Sequence, residues 1–392
     1  MRVDAFIGQE KALAPPLDGL VVLDMAQFLA GPAAALQLGD LGARVIKIER
    51  PDTGDLCRQM YLTDTDIDGQ STLFHAINRN KEGIALDLKS ERHLAAARRL
   101  IEQADVLIQN FRPGVMERLG LGYEVVRKIN PGIVYASVSG YGHSGPWSKL
   151  PGQDLLAQAR SGVMWLSGTA DSGPTPIGLS IADMLAGHVL AKGILALLVR
   201  RGRTRSGGQV ETSLLEVLVD FQFELLTTYL NDGGRAPQRA AAQGANAYLA
   251  APYGVYATQD GYLALAMTPL ARIETLLDLP GLAAFSDGFT ERDQVFDRIA
   301  GRLRERTTDA WLAVLEPAGI WTAPVLDWPA LLQAESFRAL DMLQNISTRS
   351  GSIRTTASPL RIDGVRPAAP RGAPEIGQHT LAISREFGLD LS

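Results

Sequence analysis

The amino-acid sequence predicts an α/β fold built on a mostly parallel sheet. Short apolar runs of strand length, such as 20–24 and 43–49, alternate along the first half of the chain with segments whose apolar residues recur at helical spacing. Because parallel strands are joined by crossover helices, this alternation favours a sheet that is covered on both faces. A chain of 392 residues with 46% hydrophobic residues is also long enough for two domains.

Strands and helices alternate in a regular order up to residue 230. Ser90 follows the third strand, and serine commonly begins helices because its hydroxyl accepts a hydrogen bond from a free backbone N–H. Residues 214–230 are predicted as a single helix after the last strand. The predicted strands are 20–24, 43–49, 84–88, 105–110, 133–138 and 208–213, and the predicted helices between them are 30–41, 90–104, 114–119, 123–129 and 186–199.

The second half of the chain has a different pattern. Residues 231–237 are rich in glycine and end in proline, which predicts a break and a domain junction. Beyond it, short alternating runs around a turn at 259–261 predict two strands, and a final helix is predicted near 379–387. The other elements predicted here are strands at 253–256 and 261–267 and helices at 292–304 and 308–318.

The segment 176–214 contains the longest apolar helical run and begins with a candidate active residue, Asp183. Ser180 and Asp183 have the spacing of a capping box, in which both side chains satisfy free N–H groups at the start of a helix. The same helix end stabilises a charged carboxylate, and a charged carboxylate on a short side chain can act as a nucleophile. Local sequence alone leaves both roles open.

Basic and glycine-containing segments follow several predicted strands. In parallel α/β sheets, ligands bind beyond the carboxyl ends of the strands, where these segments lie. Guanidinium and ammonium groups gathered at one edge favour an anionic ligand. The basic residues in these segments are Arg50, Lys89, Arg112 and Arg118.

Composition excludes several general classes of partner. A net charge of −5 and a pI near 5.7 give no overall attraction for nucleic acid or an anionic membrane. Cys57 is the sole cysteine, so no intrachain disulfide can form, and with no secretory signal at the N-terminus we expect a reducing, cytoplasmic compartment. The apolar run 186–199 is too short to span a bilayer, so no membrane association is expected.

Motifs for other chemistries are missing or incomplete. No G-x-G-x-x-G follows the first strand, no phosphate-binding P-loop is present, and the five histidines are too scattered to predict a metal site. The segment Gly142–Pro146 approaches the G-x-S-x-G nucleophile elbow, but proline occupies the last position, where a small residue is needed. A serine hydrolase is therefore disfavoured.

A set of short motifs runs in order along almost the whole chain, from about residue 17 to residue 388. The set consists of Gly19–Asp24 with Ala30–Pro32, Gly42–Glu49 with Gly54–Asp55, Asn80–Lys81 with Leu86–Lys89, Ala104–Val106 with Asn110–Gly114, Gly140–Gly142, the helix that begins near Asp183, Gly207–Gln209 and Gly377–Thr380. Each motif is weak by itself. In this order and at these spacings, they resemble the class III coenzyme A transferases of the CaiB/BaiF family.

The resemblance implies a Rossmann-like large domain built from both chain ends, with a smaller α+β domain inserted between them. We expect residues 1–225 to form the N-terminal part of the CoA-binding domain, 226–330 the small domain with its linkers, and 331–392 the segment that completes the large domain. Two chains are expected to thread through each other as an interlocked homodimer.

The resemblance also implies a CoA-transferase in which Asp183 matches the catalytic aspartate. Its substrates are an acyl-CoA and a small carboxylic acid, with no metal and no permanently bound cofactor. CoA would pass from the donor through an aspartyl anhydride and an aspartyl-CoA thioester. Positions that match CoA contacts in the family are Leu29, Ala30, Arg50, Leu86, Asp87, Leu88, Lys89, Asn110, Phe111, Arg112, Arg118, Gln153 and Asp154.

Two alternatives stay open. The first is an α-methylacyl-CoA racemase, but the histidine that such enzymes pair with the aspartate falls at Gln153, which cannot act as a base; His143 is a nearby substitute. The second is a non-catalytic CoA-binding subunit, which the presence of Asp183 disfavours. Leu29 stands where formyl-CoA transferases have glutamine, so the resemblance does not specify formyl and oxalate as the acyl group and the acceptor. The segment Gln243–Asn246 stands where transferases carry a more glycine-rich loop, so the resemblance does not extend to a lid at this segment.

Overall fold

The computed structural model describes residues 14–241, 244–287, 290–369 and 371–391. The chain divides into two compact units. The first comprises the chain up to Pro151, Asp183–Leu214 and the chain from Asp341 onward, and the second comprises Gly152–Ala182 and Leu215–Leu340. These limits differ from the boundaries predicted at 225/226 and 330/331, and the assignment of an inserted small domain stays a prediction.

A six-stranded parallel sheet lies in the first unit. The strands, in chain order, are β1 (Val21–Asp24), β2 (Arg44–Glu49), β3 (Asp66–Ile67), β4 (Gln70–Ser71), β5 (Glu82–Ala85), β6 (Val106–Gln109), β7 (Val134–Ser139), β8 (Gly208–Ser213), β9 (Gly254–Ala257), β10 (Tyr262–Leu265), β11 (Thr322–Pro324), β12 (Leu343–Thr348) and β13 (Gly351–Thr356). The order in the large sheet is β5-β2-β1-β6-β7-β8, and each neighbouring pair is parallel. The predicted α/β class with a mostly parallel sheet is confirmed.

Helices connect these strands in the predicted alternation. In chain order they are α1 (Ala30–Asp40), α2 (Thr72–Asn78), α3 (Glu91–Gln103), α4 (Val115–Arg118), α5 (Tyr123–Ile129), α6 (Asp154–Ser161), α7 (Ile181–Thr204), α8 (Leu214–Phe221), α9 (Phe223–Asn231), α10 (Leu270–Leu277), α11 (Arg292–Leu303), α12 (Thr308–Leu315), α13 (Trp328–Gln333), α14 (Glu335–Leu340) and α15 (Thr380–Phe387), with short 3-10 turns at Leu56–Gln59 and Val163–Trp165.

Helices cover the large sheet on both faces. On one face, Leu23, Ile46 and Leu107 pack with buried side chains of α3, α5 and α15. On the other face, Gly31 of α1 lies against the side chain of Ile108 in β6, and Gly39 lies against the side chain of Val45 in β2. Ile108 follows Leu107 and Val45 precedes Ile46, and successive residues of a strand point to opposite faces. Because the central strands β1, β6 and β7 are buried on both faces, their sequences are largely apolar runs, which made them predictable.

The end of the chain returns to the outer strand β5. The backbone N–H of His379 donates to the carbonyl of Gly83 at 2.9 Å, and the N–H of Gly83 donates to His379 Nδ1 at 3.0 Å. Two residues further along, the N–H of Ala85 donates to Thr380 Oγ1 at 3.1 Å. His379 and the first residue of α15 therefore pair with hydrogen-bonding groups of this edge strand.

The second unit has its own core. Strands β9, β10 and β11 form an antiparallel sheet, as the alternation around residues 259–261 predicted for the first two. Ile273 of α10, Phe296 of α11 and Trp311 of α12 are buried together with Leu263 of the sheet. The indole N–H of Trp311 donates to the carbonyl of Leu303 at 2.8 Å, which satisfies its one polar atom.

The central helix α7 is longer than the predicted apolar run 186–199. It has 24 residues and is therefore about 36 Å long. By length and composition it could cross a membrane, which the shorter predicted run could not, since an 18-residue window within it has a mean hydropathy of 1.7. One such helix is weak evidence of a membrane span, because the core helices of globular proteins pass the same test.

Residues 214–230, predicted as a single helix, form two helices, and that prediction is wrong. The break falls at Gln222, whose backbone N–H donates to the carbonyl of Val219 at 3.2 Å, a tighter turn than the α-helix makes. The side-chain amide of Gln222 donates to the carbonyl of Leu218 at 2.7 Å. In an unbroken helix, this carbonyl would accept from the backbone N–H of Gln222 instead.

The third predicted strand, 84–88, ends early, at Ala85. Asp87 turns the chain there: its N–H donates to His93 Nδ1 at 2.8 Å, and its Oδ1 accepts from the N–H of Lys89 at 3.0 Å. Ser90 occupies the cap position of α3, but its side chain makes no capping hydrogen bond, contrary to prediction.

The hairpin β12–β13 was not predicted from the sequence.

Candidate active site

The carboxyl ends of β5, β2, β1 and β6 are neighbours along one edge of the sheet. Residues that the sequence analysis predicts to contact CoA follow each of these strands, although they come from sequence positions up to 83 residues apart. From one side to the other, the segments after the strands are Leu86–Lys89, Arg50, Leu29–Ala30 and Asn110–Arg112. The topology therefore brings together most of the predicted contact positions.

The basic side chains at this edge are exposed. Arg50 and Lys89 follow β2 and β5, Arg112 follows β6, and Arg118 ends α4. Exposed guanidinium and ammonium groups are available to an anionic ligand such as a phosphate. Leu86, in contrast, is 1% exposed, so it is much less accessible to a ligand than Lys89 in the same segment.

Asn110 joins the end of β6 to the loop that follows β1. Its Nδ2 donates to the carbonyl of Gln27 at 2.7 Å, and its Oδ1 accepts from the N–H of Gln27 at 2.8 Å. Phe111, the next residue, is partly buried against the core below the sheet. The structure therefore shows Asn110 as a clamp on the loop 25–29, a role that its sequence motif did not suggest.

The loop between β1 and α1 has a strained backbone. Phe28 has φ of +64°, a left-handed conformation that non-glycine residues rarely adopt, and its ring is exposed. Leu29 packs against the buried cluster of Cys57 and Phe74. At the start of α1, a β-carbon on Gly31 would lie 2.3 Å from Ala26 Cβ, so the loop can fold back onto the helix only because this residue is glycine.

Asp183 lies in the first turn of α7 and is partly buried. Ser180 precedes the helix directly, so the two residues have the positions that a capping box requires. One turn further along the same face, Gly187 contacts the first turns of α1: a β-carbon there would lie 3.0 Å from the carbonyl oxygen of Ala30 and 2.9 Å from Ala33 Cβ. Asp183 therefore belongs to the helix end that lies beside Ala30.

A fully buried cluster of charges lies beneath the loop 25–29. Asp24 and Lys47, which pair in register across β1 and β2, are both 0% exposed. Lys47 Nζ is 2.8 Å from Asp55 Oδ2 and 3.8 Å from Asp24 Oδ2, and Lys81 Nζ is 2.8 Å from Asp24 Oδ2. Two acids and two bases thus balance one another inside the core.

The environment of this cluster shifts several pKa values. Burial alone would raise the pKa of Asp24, but Lys47 and Lys81 more than offset it, and the pKa is lowered. Burial opposes the charge of Lys47, yet Asp24 and Asp55 hold its pKa above the ordinary value. Burial prevails at Lys81 and lowers its pKa to about 8, despite Asp24 beside it. For Cys57, burial and the charge of Asp55 raise the pKa to about 12.

Sequence reasoning did not identify this cluster. Its members belong to separate sequence motifs, and the contact between Asp24 and Lys81 spans 57 residues of sequence. A signal was nevertheless present: Lys47 stands in the middle of the apolar run Arg44–Glu49, and a lysine inside a strand buried on both faces requires an acidic partner.

Other predicted residues lie elsewhere. Gln153 and Asp154 are at the start of α6 in the second unit, where Asp154 Oδ1 accepts from Gln158 Nε2 at 2.6 Å. His143 Nε2 is 2.9 Å from Glu211 Oε1, and both side chains are partly exposed. Gln243 lies outside the described residues. In the part of the chain that the structure describes, no group of three or more His, Cys, Asp or Glu residues could hold a metal ion.

Comparison with known proteins identifies the family. A family model described as CoA-transferase family III matches residues 17–380. The acetyl-CoA:oxalate CoA-transferase of Acetobacter aceti is 34% identical over 385 residues, which cover 95% of this chain and 96% of that protein. The succinyl-CoA:glutarate CoA-transferase of Mus musculus is 33% identical over 382 residues, covering 95% and 86% of the two chains.

A solved structure agrees with the fold. The crystal structure of a CaiB/BaiF family protein from Brucella suis has a TM-score of 0.84 to this chain at 30% sequence identity, and the match covers 96% of this chain and 100% of that one. With a family model that spans most of the sequence and relatives that match over nearly their whole length, the chain belongs to CoA-transferase family III, the CaiB/BaiF family, and is a class III CoA-transferase.

Proposed function

We propose that Asp183 is the nucleophile that carries CoA from an acyl-CoA to a free carboxylic acid. The position of Asp183 supports this role: it lies one turn before Gly187, which contacts Ala30 at the edge where the basic segments gather. A carboxylate in the first turn of a 24-residue helix is stabilised in its charged form by the helix dipole, by about 0.3–1 kcal/mol. The charged form is the nucleophilic one.

The proposed transfer has four steps and needs no proton, metal or external energy source. A carboxylate oxygen of Asp183 attacks the donor thioester carbonyl; the C–S bond breaks, and CoA leaves as its thiolate from an aspartyl anhydride. The thiolate then attacks the carbonyl carbon of Asp183 and expels the donor acid, which leaves an aspartyl-CoA thioester. The acceptor carboxylate attacks this thioester and forms a second anhydride, and the thiolate returns to the acceptor carbonyl, which frees Asp183.

These steps place two demands on the protein. Water must be kept from the anhydride, and hydrogen-bond donors must face the oxyanion that develops at each attack. The N–H groups of Ala30 and Gly31 are candidate donors, because residues in the first turn of a helix have no carbonyl partner within it. Their helix end lies beside that of Asp183.

CoA itself is proposed to lie along the sheet edge. Its phosphates would meet the basic side chains there, and its pantetheine arm would run past the backbone of 86–88 and of Leu29 toward Asp183. We assign CoA contacts to Leu29, Ala30, Arg50, Leu86, Asp87, Leu88, Lys89, Asn110, Phe111, Arg112, Arg118, Gln153 and Asp154. For Asn110 the contact would be indirect, since its amide holds Gln27.

The acceptor is proposed to be a small dicarboxylic acid. This choice rests on the relatives, whose names specify oxalate, glutarate and mesaconate as acids and acetyl-CoA or succinyl-CoA as donors. We further propose an interlocked homodimer. Large apolar side chains of the second unit that are more than half exposed in the single chain support an interface, among them Phe223, Leu230, Trp321 and Trp328.

Transfer assays with purified protein test this function. Acetyl-CoA and succinyl-CoA are each offered with oxalate, glutarate and mesaconate, and formation of the new thioester is followed by mass spectrometry. After incubation with donor alone, hydroxylamine is added, and the peptide that contains Asp183 is expected to carry the hydroxamate. Asp183→Ala should abolish transfer and the adduct.

Asp309→Ala is the matched control, because Asp309 is also an aspartate in the first turn of a helix but lies on α12. It should transfer CoA like the wild type. A racemase would instead introduce solvent deuterium at the α-carbon of a 2-methylacyl-CoA, and a binding subunit would give neither result. Substantial transfer by a folded Asp183→Ala protein would exclude the proposal.

A further inference from the structure

The side chains of the buried charge cluster form hydrogen bonds with the backbone of the loop 25–29 and of the first turn of α1. Asp24 Oδ1 accepts from the N–H of Ala26 at 3.0 Å, and Lys47 Nζ donates to the carbonyl of the same residue at 2.9 Å. Asp55 Oδ1 accepts from the N–H of Phe28 at 3.0 Å. Lys81 Nζ donates to the carbonyl of Pro32, in the first turn of α1, at 2.9 Å. Each of the four charged side chains therefore bonds to the loop or to the helix turn that it leads into.

These bonds explain how the loop keeps a strained conformation. A left-handed φ at a bulky residue such as Phe28 costs about 1–3 kcal/mol and persists only where the surroundings impose it. The Phe28 N–H donates to Asp55, and the two residues before the strained position, Ala26 and Gln27, are held by Asp24, Lys47 and Asn110.

The same bonds determine which groups remain available at the head of α1. The carbonyls of Ala26 and Gln27, four residues before Ala30 and Gly31, accept from Lys47 Nζ and Asn110 Nδ2. The loop thus departs from helical geometry, and Ala30 and Gly31 lie buried in the first turn of α1, where the helix supplies no carbonyl partner for their N–H groups; the next turn contacts Gly187.

Stability alone gives no reason for four buried charges. Buried ion pairs lose about as much in desolvation as they gain from attraction, and apolar replacements of similar volume are often neutral or stabilising. A charged pair does, however, fix direction, because each bond requires a definite geometry.

We propose that Lys47 and Asp55, with Asp24 and Lys81, are positioning residues for the transfer reaction: they hold the loop 25–29 so that the first N–H groups of α1 face the thioester beside Asp183. This inference rests on the proposed function of Asp183 for its catalytic consequence. Its structural part, a loop held by buried charges, stands independently.

The test replaces the central pair by apolar residues of similar size, Lys47→Met with Asp55→Leu. Amide hydrogen exchange of the peptide that spans residues 25–33 is measured in the free protein, together with CoA affinity by calorimetry and kcat and KM for transfer. We expect exchange in this peptide to quicken at least about tenfold while the rest of the sheet stays protected, and kcat to fall roughly 10- to 100-fold, the size that a misplacement of about 1 Å produces.

Asp40→Leu with Arg79→Met is the matched control. Asp40 and Arg79 form another buried ion pair, at the far end of α1, with no bond to the loop 25–29. This variant should keep wild-type loop exchange and wild-type kcat. Asp55→Asn is the conservative variant: its amide oxygen can still accept from the Phe28 N–H, so its loop exchange and kcat should lie between those of the wild type and the apolar pair.

The outcomes are decisive in each case. If the apolar variant folds and shows loop exchange and kcat/KM within twofold of the wild type, the cluster is only structural and the inference is wrong. If it does not fold, Asp55→Asn decides in the same way. If the wild type forms no adduct at Asp183, the proposed function fails, while the exchange and CoA affinity measurements still test whether the charges hold the loop.

Discussion

Gly187 of α7 and Ala30 of α1 are in direct contact, because the position of a β-carbon on Gly187 lies 3.0 Å from the carbonyl oxygen of Ala30. The contact sets how closely the helix that carries Asp183 can approach the candidate donors at the head of α1. Neither residue has a side chain larger than a methyl group, and any larger one would separate the two helices.

Gly187→Ala should therefore weaken both folding and transfer. The new methyl group would overlap Ala33 Cβ and the Ala30 carbonyl, so we expect about 1–3 kcal/mol of destabilisation and a lower kcat. Gly202→Ala, on the same helix with no atom near its added carbon, is the control and should stabilise the protein by about 0.5–1 kcal/mol. Urea unfolding measures both; equal effects would show that the α1–α7 contact is not tight.

The exposed basic residues should govern CoA affinity rather than the chemical step. Arg50→Ala and Lys89→Ala are each expected to raise KM for acyl-CoA about 10- to 100-fold, the loss of one charged hydrogen bond, with little change in kcat. Repeating the assay with a dephospho-CoA thioester locates the 3′-phosphate, because a variant that binds this group loses its defect. Arg385→Ala, an exposed arginine on α15, is the control, and a similar KM increase there would argue against a localised site.

Cys57 should be inert in the folded protein. It is 0% exposed, and burial raises its pKa to about 12, so almost no thiolate is present at pH 8. Native protein should not react with Ellman's reagent at this pH, whereas protein in guanidinium chloride should release one equivalent. Rapid reaction of the native protein would mean that the region around Phe74 opens readily.

Acid should weaken the attachment of the C-terminal segment through His379. Burial lowers the pKa of His379 below its ordinary value of 6.5, with Arg371 and Arg44 acting in the same direction and Glu82 against it. The unfolded chain therefore takes up the proton first, so the stability from neutral His379 is complete above pH 6.5 and is lost as pH falls from there towards the folded pKa. Protonation would also set an N–H of the ring against the N–H of Gly83.

Thermal unfolding between pH 7.5 and pH 5.5 checks this. The melting temperature of the wild type should fall more steeply than that of His379→Gln, whose side chain does not titrate. Parallel slopes for the two proteins would show that His379 does not change its protonation on unfolding in this range.

The predictable part of the fold was the part governed by burial. Strands such as β2 and β8 are apolar or sharply bounded by glycine, so their limits were predicted within one residue. The break at Gln222 was not predictable, because a side-chain amide that competes for a carbonyl leaves no trace in hydrophobic periodicity. The hairpin β12–β13 was missed for a related reason, since its residues are mostly polar and partly exposed.

Sequence identifies candidate site residues only where their chemistry or their position in the chain marks them. Asp183 stands out by its position at the start of the longest apolar helical run, and Arg50, Lys89 and Arg112 stand out by their positions after strands. The clamp made by Asn110 and the contacts of Asp24 with Lys47 and Lys81 depend on partners tens of residues away, which only the folded sheet brings together. The sequence motifs contain these residues but do not show which of them form hydrogen bonds or ion pairs with each other.

The last segment of the chain seals strand β5 nearly 300 residues after that strand is made, since Gly83 bonds to His379 across 296 positions. A ribosome adds about 5–20 residues each second, so the open side of the nascent sheet waits roughly 15–60 s for its cover. During that interval its bare amides and carbonyls can pair with another growing chain. A chain that lacks residues 377–380 should therefore leave strand β5 uncovered and be more prone to pair with other chains than the full chain.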